Sequence, residues 1–285
     1  MRVLTFDIEE WFHILDNDST RSEDEWTRYE IRIHENCERI LRILADTNTK
    51  ATFFCLGWIA EHHPEVVRLI ADNGYELATH SHRHQLVYQQ TPVDFRQDLE
   101  RSKKVIEDIT GREVRAYRAP GFSVRSDNAW IFNCLVEHGI TIDCSVFPTH
   151  RAHGGFPNFG VTKPTWIETN SGHLKEFPIN THVVCGKNLI FSGGGYFRLL
   201  PYSILRAWTR QSSYLMSYFH PRDFDARQPM IKELSAVRRF KSYYGLGSSE
   251  KKLRQLIRDF EFTDLAGADS MVDWIEAPVV SPYRA

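Results

Sequence analysis

Three histidines fall within five residues at His80-Ser81-His82-Arg83-His84. An i, i+4 pair such as His80 and His84 can put two imidazoles on one side of a turn, the spacing a metal chelate needs, with His82 between them pointing away. A second group, Asp7-Ile8-Glu9-Glu10-Trp11, directly follows an apolar run. Acids at the mouth of a buried strand are costly unless paired, hydrogen-bonded or metal-bound. One of these carboxylates with His80 and His84 completes a set of two histidines and one carboxylate, which leaves positions open for water as a catalytic zinc requires. A spare carboxylate beside it can act as general base. In Arg118-Ala119-Pro120-Gly121-Phe122, an arginine before a rigid turn can hold a carboxylate by a two-pronged contact. Each group alone has an ordinary reading: a solvated histidine loop, a polar loop, a surface ion pair. Asp143 and the His220 that precedes Pro221 are individually weaker still.

The elements that must position these residues are legible in the hydrophobic pattern. Buried strands are expected at Val3–Phe6, Ala51–Leu56, Tyr75–Thr79, Val114–Tyr117, Ile140–Ile142 and Tyr214–Phe219. Helical spacing marks Cys37, Ile40, Leu41 and Leu44. It then marks one face through Ile59, His63, Val66, Val67 and Ile70, stopped by Asn73-Gly74. Further helices are expected over Phe95–Ile109, closed by Gly111, and over Asn128–His138. Alternating strands and helices imply a parallel sheet, open or closed into a barrel, with chemistry where strands end in loops. Asp7, His80, Arg118 and Asp143 all stand at such ends. Residues 150–164 and Gly193–Gly195 read as irregular, and a last amphipathic helix carries Leu253, Leu256, Ile257 and Phe260.

The chain has 285 residues, 42% of them hydrophobic, enough for one domain with an appendage. We divide it at 1–227, catalytic, and 228–285, a C-terminal extension packed on it. A net charge of -2 without a basic run disfavours a nucleic-acid partner. No run approaches the ~20 apolar residues of a transmembrane segment. Five cysteines without a C-x-x-C pair read as free thiols in a reducing compartment. With no signal peptide visible, the expectation is a cytoplasmic protein, a periplasmic or surface-associated one being the alternative. The oligomeric state is not legible.

The ordered set Thr5-Phe6-Asp7, His80-Ser81-x-x-His84, Arg118-Ala119-Pro120 and a late His220 resembles the polysaccharide deacetylases of carbohydrate esterase family 4. Ala51-Thr52-Phe53-Phe54 and Gly74-Tyr75-Glu76-Leu77 are similar to further family segments. The resemblance spans roughly residues 1–225. The later stretch, with Phe240-Lys241-Ser242-Tyr243-Tyr244, resembles a subgroup associated with bacterial exopolysaccharide and surface-polysaccharide clusters. The implied fold is an α/β, distorted (β/α)7-type barrel with a C-terminal extension.

By this resemblance Asp7 is the general base, His80 and His84 are metal ligands, Arg118 orients Asp7, Asp143 buttresses Arg118, and His220 is the general acid. The family's usual second aspartate is replaced here by Ile8, which cannot bind metal. Asp7-Ile8-Glu9 is similar to an Asp-x-Asp arrangement, so Glu9 is expected as third ligand, with Glu10 open because the segment bends. Gly121 stands where many members carry an aromatic residue whose N–H binds the oxyanion. Trp11, Tyr117, Phe122, Tyr196 and Phe197 are candidate sugar platforms.

The implied cofactor is a divalent metal, Zn2+ by default with Co2+ or Ni2+ as substitutes, and the implied partner is an N-acetylated glycan or glycan precursor. Alternatives are a hydrolase of a small non-sugar amide on the same fold and a non-catalytic carbohydrate-binding relative. A non-heme iron oxygenase would share the ligands but leave Arg118 and His220 unexplained.

Overall fold

The computed structural model describes every residue except Asp16, Ala152, Cys185, Arg284 and Ala285, and also leaves out the side chains of Asp18 and Lys187. Its strands are β1 (Arg2–Val3), β2 (Thr5–Ile8), β3 (Thr52–Cys55), β4 (Glu76–Thr79), β5 (Ala116–Tyr117), β6 (Ile142–Asp143), β7 (Thr165–Thr169), β8 (Gly172–Glu176), β9 (His182–Val184), β10 (Lys187–Leu189), β11 (Leu215–Met216) and β12 (Val279–Val280). The helices are α1 (Glu23–Trp26), α2 (Ile33–Ala45), α3 (Gly57–His62), α4 (Pro64–Asp72), α5 (Pro92–Thr110), α6 (Trp130–Glu137), α7 (Gly194–Leu199), α8 (Tyr202–Gln211), α9 (Ala236–Tyr243), α10 (Leu246–Asp259) and α11 (Leu265–Met271).

The strands β2, β3, β4, β5, β6 and β8 pair in parallel in that order, and β11 pairs in parallel with β1, continued by a bridge between Phe6 and Phe219. Among the described residues no ladder joins β8 to β11. Side chains span that gap: the Met216 amide donates to Asn180 Oδ1 at 3.0 Å, and the Tyr214 hydroxyl donates to the Pro178 carbonyl at 2.8 Å. The result is the distorted (β/α)7-type barrel. Strand alternation sorts the core into two layers. Phe54, Ala78, Ala116, Ile142 and Met216 fill the barrel, whereas Phe6, Phe53 and Cys55 face the surrounding helices.

Some elements differ from the sequence reading. The helix expected across Ile59–Ile70 is two helices, α3 and α4, broken at His63 (φ -134°, ψ 55°). The cause is Pro64, which forbids the α conformation to the residue before it and is well placed only as a first helical residue. Antiparallel β7–β8 was not legible, and β12 extends its outer edge by pairing with β7. The Gly193–Gly195 stretch opens α7 rather than remaining irregular. Cys37, Cys55, Cys134 and Cys144 are buried free thiols, and Cys185 lies outside the described residues. Among the described residues no helix is long and apolar enough to cross a membrane.

Asp143 and Glu176 are register partners across β6 and β8, both fully buried. Ser145 Oγ donates to Asp143 Oδ1 at 2.5 Å and the Val146 amide to Glu176 Oε1 at 3.1 Å. The other oxygens, Asp143 Oδ2 and Glu176 Oε2, find no donor among the described residues. Two buried carboxylates so placed cannot both ionise, so they share a proton. Burial pushes both carboxyls up, Glu176 well above its ordinary range with the Asp143 charge adding to it. A carboxyl raised on folding contributes most below its unfolded pKa, and that contribution is lost as pH rises toward its folded value. Glu176→Gln supplies a permanent donor to Asp143 and abolishes this loss. Urea denaturation of the variant should gain on the native chain from pH 5 to pH 8, by up to about 1.4 kcal/mol per pH unit. A constant difference would contradict a shared proton.

Candidate metal centre and active site

The chemistry-bearing residues gather at the C-terminal ends of the parallel strands. His80 directly follows β4, Arg118 follows β5, Asp7 and Glu9 end β2, and His220 follows the strand through Phe219. The turn from His80 to His84 requires two residues with left-handed backbone, Ser81 (φ 69°) and His84 (φ 55°). The Asp98 carboxylate of α5 holds the turn by accepting the amides of His82 at 2.7 Å and Arg83 at 3.0 Å, and Ser81 Oγ accepts the His84 amide at 3.1 Å. His84 thereby comes beside His80, with ring centroids 5.3 Å apart. His82 turns to the other side and meets Glu61 at 3.2 Å.

One ligand atom from each of Glu9, His80 and His84 lies within 4.8 Å of the other two. His80 Nδ1 is 2.8 Å from the Arg118 carbonyl, which can only accept, so Nδ1 carries the proton and Nε2 keeps its lone pair. Glu9 Oε2 sits 2.6 Å from His84 Nε2, yet it is buried without a hydrogen bond of proper geometry among the described residues. Burial pulls His80 down to about 4, only partly opposed by Asp7 and Glu9, so its imidazole is neutral. Burial pushes the Glu9 carboxyl up, but His84, His220 and His80 outweigh it and hold Glu9 well below the usual range. A neutral imidazole, an ionised carboxylate and an orphaned buried oxygen around one point are the donors a divalent ion takes. Glu10 turns the other way. Its carboxylate accepts the amides of Arg32 at 2.6 Å, Ile33 at 2.7 Å and Trp11 at 3.2 Å, capping the start of α2.

Beside this set, Arg118 Nη1 donates to Asp7 Oδ1 at 2.6 Å and to Thr5 Oγ1 at 2.7 Å. Its Nε donates to the Cys144 carbonyl at 3.4 Å, and its guanidinium lies 4.1 Å over the Phe54 ring. Asp7 Oδ2 faces His220 Nε2 at 3.8 Å, and Glu9 Oε1 lies 3.6 Å from the same nitrogen. On its far side His220 Nδ1 meets Asp223 Oδ2 at 3.2 Å, and Asp223 pairs with Arg198 at 3.3 Å. Burial pulls His220 down, but Glu9, Asp223 and Asp7 together raise it to about 9, so it carries a proton at neutral pH.

Asp7, Glu9, His80, His84, Gly121, Phe122 and His220 all line one cleft of about 200 Å³. Three expected site residues stand elsewhere. Asp143 does not touch Arg118: it is bonded to Ser145, whose hydroxyl accepts the Ala119 amide at 2.8 Å, so it braces the turn after Arg118 and not the guanidinium. Trp11 is buried edge-on against Phe12 and Tyr29 and donates to the Glu30 carbonyl at 2.9 Å, which removes it from any sugar. Tyr196, 47% exposed, lines a neighbouring groove of about 570 Å³ that shares Arg151 and Tyr218 with the cleft. Phe122 packs against Phe147 and Tyr218 and presents little surface. Tyr117 and Phe197 are core.

Sequence reasoning missed His13, which is buried 6.0 Å from the His84 ring with Nε2 unpartnered among the described residues. It also missed Asp223, whose position three residues after His220 was the available signal. Arg151 and Arg222 line the cleft as well, each with one buried guanidinium nitrogen without a partner among the described residues.

Residues 3–141 match the polysaccharide deacetylase family, and residues 144–269 match a domain of unknown function, DUF3473. A peptidoglycan-N-acetylglucosamine deacetylase of Bacillus cereus is 29% identical over 82 residues, 29% of this chain and 30% of that protein. A peptidoglycan deacetylase of Helicobacter pylori is 27% identical over 108 residues, 38% of this chain and 36% of that protein. The chain thus matches about a third of the length of these curated relatives. Among solved structures, one assigned as a polysaccharide deacetylase from Mycobacterium smegmatis superposes with TM-score 0.67 at 20% identity, over 98% of this chain and 92% of that one. A CE4 family pseudoenzyme from Bacillus anthracis superposes with TM-score 0.53 at 14% identity, over 94% and 64%. Both show the shared fold.

Removing one partner of a buried ion pair strands the other charge. Arg118→Met should therefore lower unfolding free energy by about 3–5 kcal/mol in urea titrations. A loss under about 1 kcal/mol, the value of a surface pair, would show that Asp7 does not depend on it.

Proposed function

We propose, on the premise that this chain belongs through residues 3–141 to the polysaccharide deacetylase family, that it hydrolyses the N-acetyl group of an amino sugar in a bacterial glycan or its precursor. The observation that carries this reading is the convergence of Glu9, His80 and His84 beside an Asp7 pinned by Arg118 and a protonated His220. Glu9, His80 and His84 would hold a divalent ion, zinc by default, which when bound supplies a Lewis acid that makes water acidic and polarises a carbonyl.

Asp7 receives the proton of the attacking water at Oδ2, since Oδ1 is occupied by Arg118. His220 Nε2, on the same side of the cleft, gives its proton to the departing sugar nitrogen. Asp223 fixes the tautomer and orientation of that ring through Nδ1. The Phe122 and Ser123 amides are bonded to the carbonyls of Ala119 and Pro120, so in this turn the amide left to meet the developing oxyanion is that of Gly121. Acetate and a free amino sugar result. The guanidinium groups of Arg151 and Arg222, which line the cleft, favour a glycan that carries an anionic group.

The test is acetate release from a panel of N-acetylated glycans and sugar nucleotides by metal-stripped protein with and without added zinc. Zinc-dependent release is expected, with Asp7→Asn and His220→Gln each lowering kcat by about 10²–10⁴. Zinc uptake without acetate from any sugar would turn the reading toward a small non-sugar amide or a carbohydrate-binding role. Full activity in Asp7→Asn would remove Asp7 as the base.

In the same assay Gly121→Ala should be strongly impaired. The backbone there has φ +62°, and the new Cβ would meet Leu15 Cδ1 at 2.7 Å. Unchanged kcat/KM would exclude this turn from the reaction.

A further inference from the structure

A second set of metal-competent atoms converges outside the active site and takes no part in the chemistry above. His34 lies in the first turn of α2, His63 is the residue between α3 and α4, and Glu65 lies in the first turn of α4. His34 Nε2 is 3.3 Å from His63 Nδ1 and 3.4 Å from Glu65 Oε1, and His63 Nδ1 is 3.8 Å from that same oxygen. A circle through three atoms so spaced has a radius of about 2.0 Å, the length of a zinc bond to imidazole nitrogen or carboxylate oxygen. One position thus lies at bonding distance from all three donors at once. We propose that His34, His63 and Glu65 form a second metal site, which takes a zinc-class divalent cation and clamps α2 to the α3–α4 junction.

Three further observations fit a ligand set better than a chance cluster of surface side chains. The His63 backbone is fixed by Pro64, and its ring packs edge-on against Trp58 at 5.9 Å, so one donor is held in place before any ion arrives. Burial and the neighbouring His34 push the His63 imidazole toward its neutral form against the opposing pull of Glu65, the form that a ligand takes. The side chains of His34, His63 and Glu65 are 39%, 16% and 57% exposed, so the open side admits an ion from solution and a water as fourth ligand. Two imidazoles and a carboxylate also suit cobalt, nickel and copper, so the ion found will follow supply.

The position gives the ion a structural consequence. The first turn of α2 that carries His34 also supplies the amides of Arg32 and Ile33 that bind Glu10, the residue after Glu9. On the other side, the Trp58 ring against His63 also packs against His13, 5.4 Å away. An ion here would therefore brace, from outside, the wall on which the active-site carboxylates are mounted.

The test counts bound zinc after equilibrium dialysis of the full chain, and does not depend on turnover. The native protein should hold two equivalents, His34→Gln/His63→Gln one, and Glu9→Gln/His84→Gln one. Added zinc should raise the melting temperature of the Glu9→Gln/His84→Gln chain but not that of the same chain carrying His34→Gln/His63→Gln as well. If the active-site variants do not fold, native protein against His34→Gln/His63→Gln decides alone. One equivalent in the native chain that vanishes in His34→Gln/His63→Gln would uphold this site while refuting the active-site ion. The same zinc content in native protein and His34→Gln/His63→Gln would overturn the proposal.

Discussion

The Arg118 guanidinium has no contact with solvent, and most of what surrounds it follows from that. A charge inside a barrel is tolerated only if an opposite charge and enough hydrogen bonds replace water. Asp7 supplies the charge, Thr5 and the Cys144 carbonyl supply acceptors, and the Phe54 face covers the cation. The same residue's carbonyl receives His80 Nδ1, so one side chain and its own backbone fix both the proposed base and a proposed ligand. The pair is an expensive way to hold a fold, since well-packed apolar groups of that volume do as well or better. Its worth lies in directing one Asp7 oxygen into the cleft while the other is held.

Two histidines in one small cleft are driven in opposite directions by their surroundings. His80 is buried with its Nδ1 proton spent on a carbonyl, which favours the neutral form that the proposed ligand role requires. His220 stands among Glu9, Asp223 and Asp7, and their combined charge overcomes burial and favours the protonated form that the proposed general-acid role requires. Separation of pKa values between neighbouring groups is how a site assigns acid and base roles at one pH. The buried carboxyls at the strand ends are likewise sorted by partner: Asp7 by Arg118, Glu9 by histidines, Glu10 by the amides opening α2, and Asp143 and Glu176 by the proton they share.

Much of this was legible in the sequence, because buried parallel strands announce themselves as short apolar runs and the residue just past each run stands at the barrel mouth. That is how Asp7, His80 and Arg118 could be placed together from positions far apart in the chain. What escaped notice depended on contacts between segments with no shared pattern. The resemblance implies Asp143 as a brace for Arg118, whereas its register partner is Glu176, in an antiparallel hairpin whose alternation is weak in the sequence. Trp11 read as a sugar platform because sequence gives no sign of which aromatic faces inward. His13 carries no motif, and only folding brings it beside His84. The break at His63 was foreseeable, since Pro64 alone dictates it.

The proposed function depends on Glu9, His80 and His84 being drawn together to hold an ion. The most direct measurement is anomalous X-ray diffraction at the zinc edge from crystals of the full chain grown with zinc. A peak is expected bonded to Glu9, His80 Nε2 and His84, with Glu10 still on the α2 amides and His82 apart. A fully loaded crystal with no peak there, or one in which Glu10 or His82 has replaced these ligands, would contradict it.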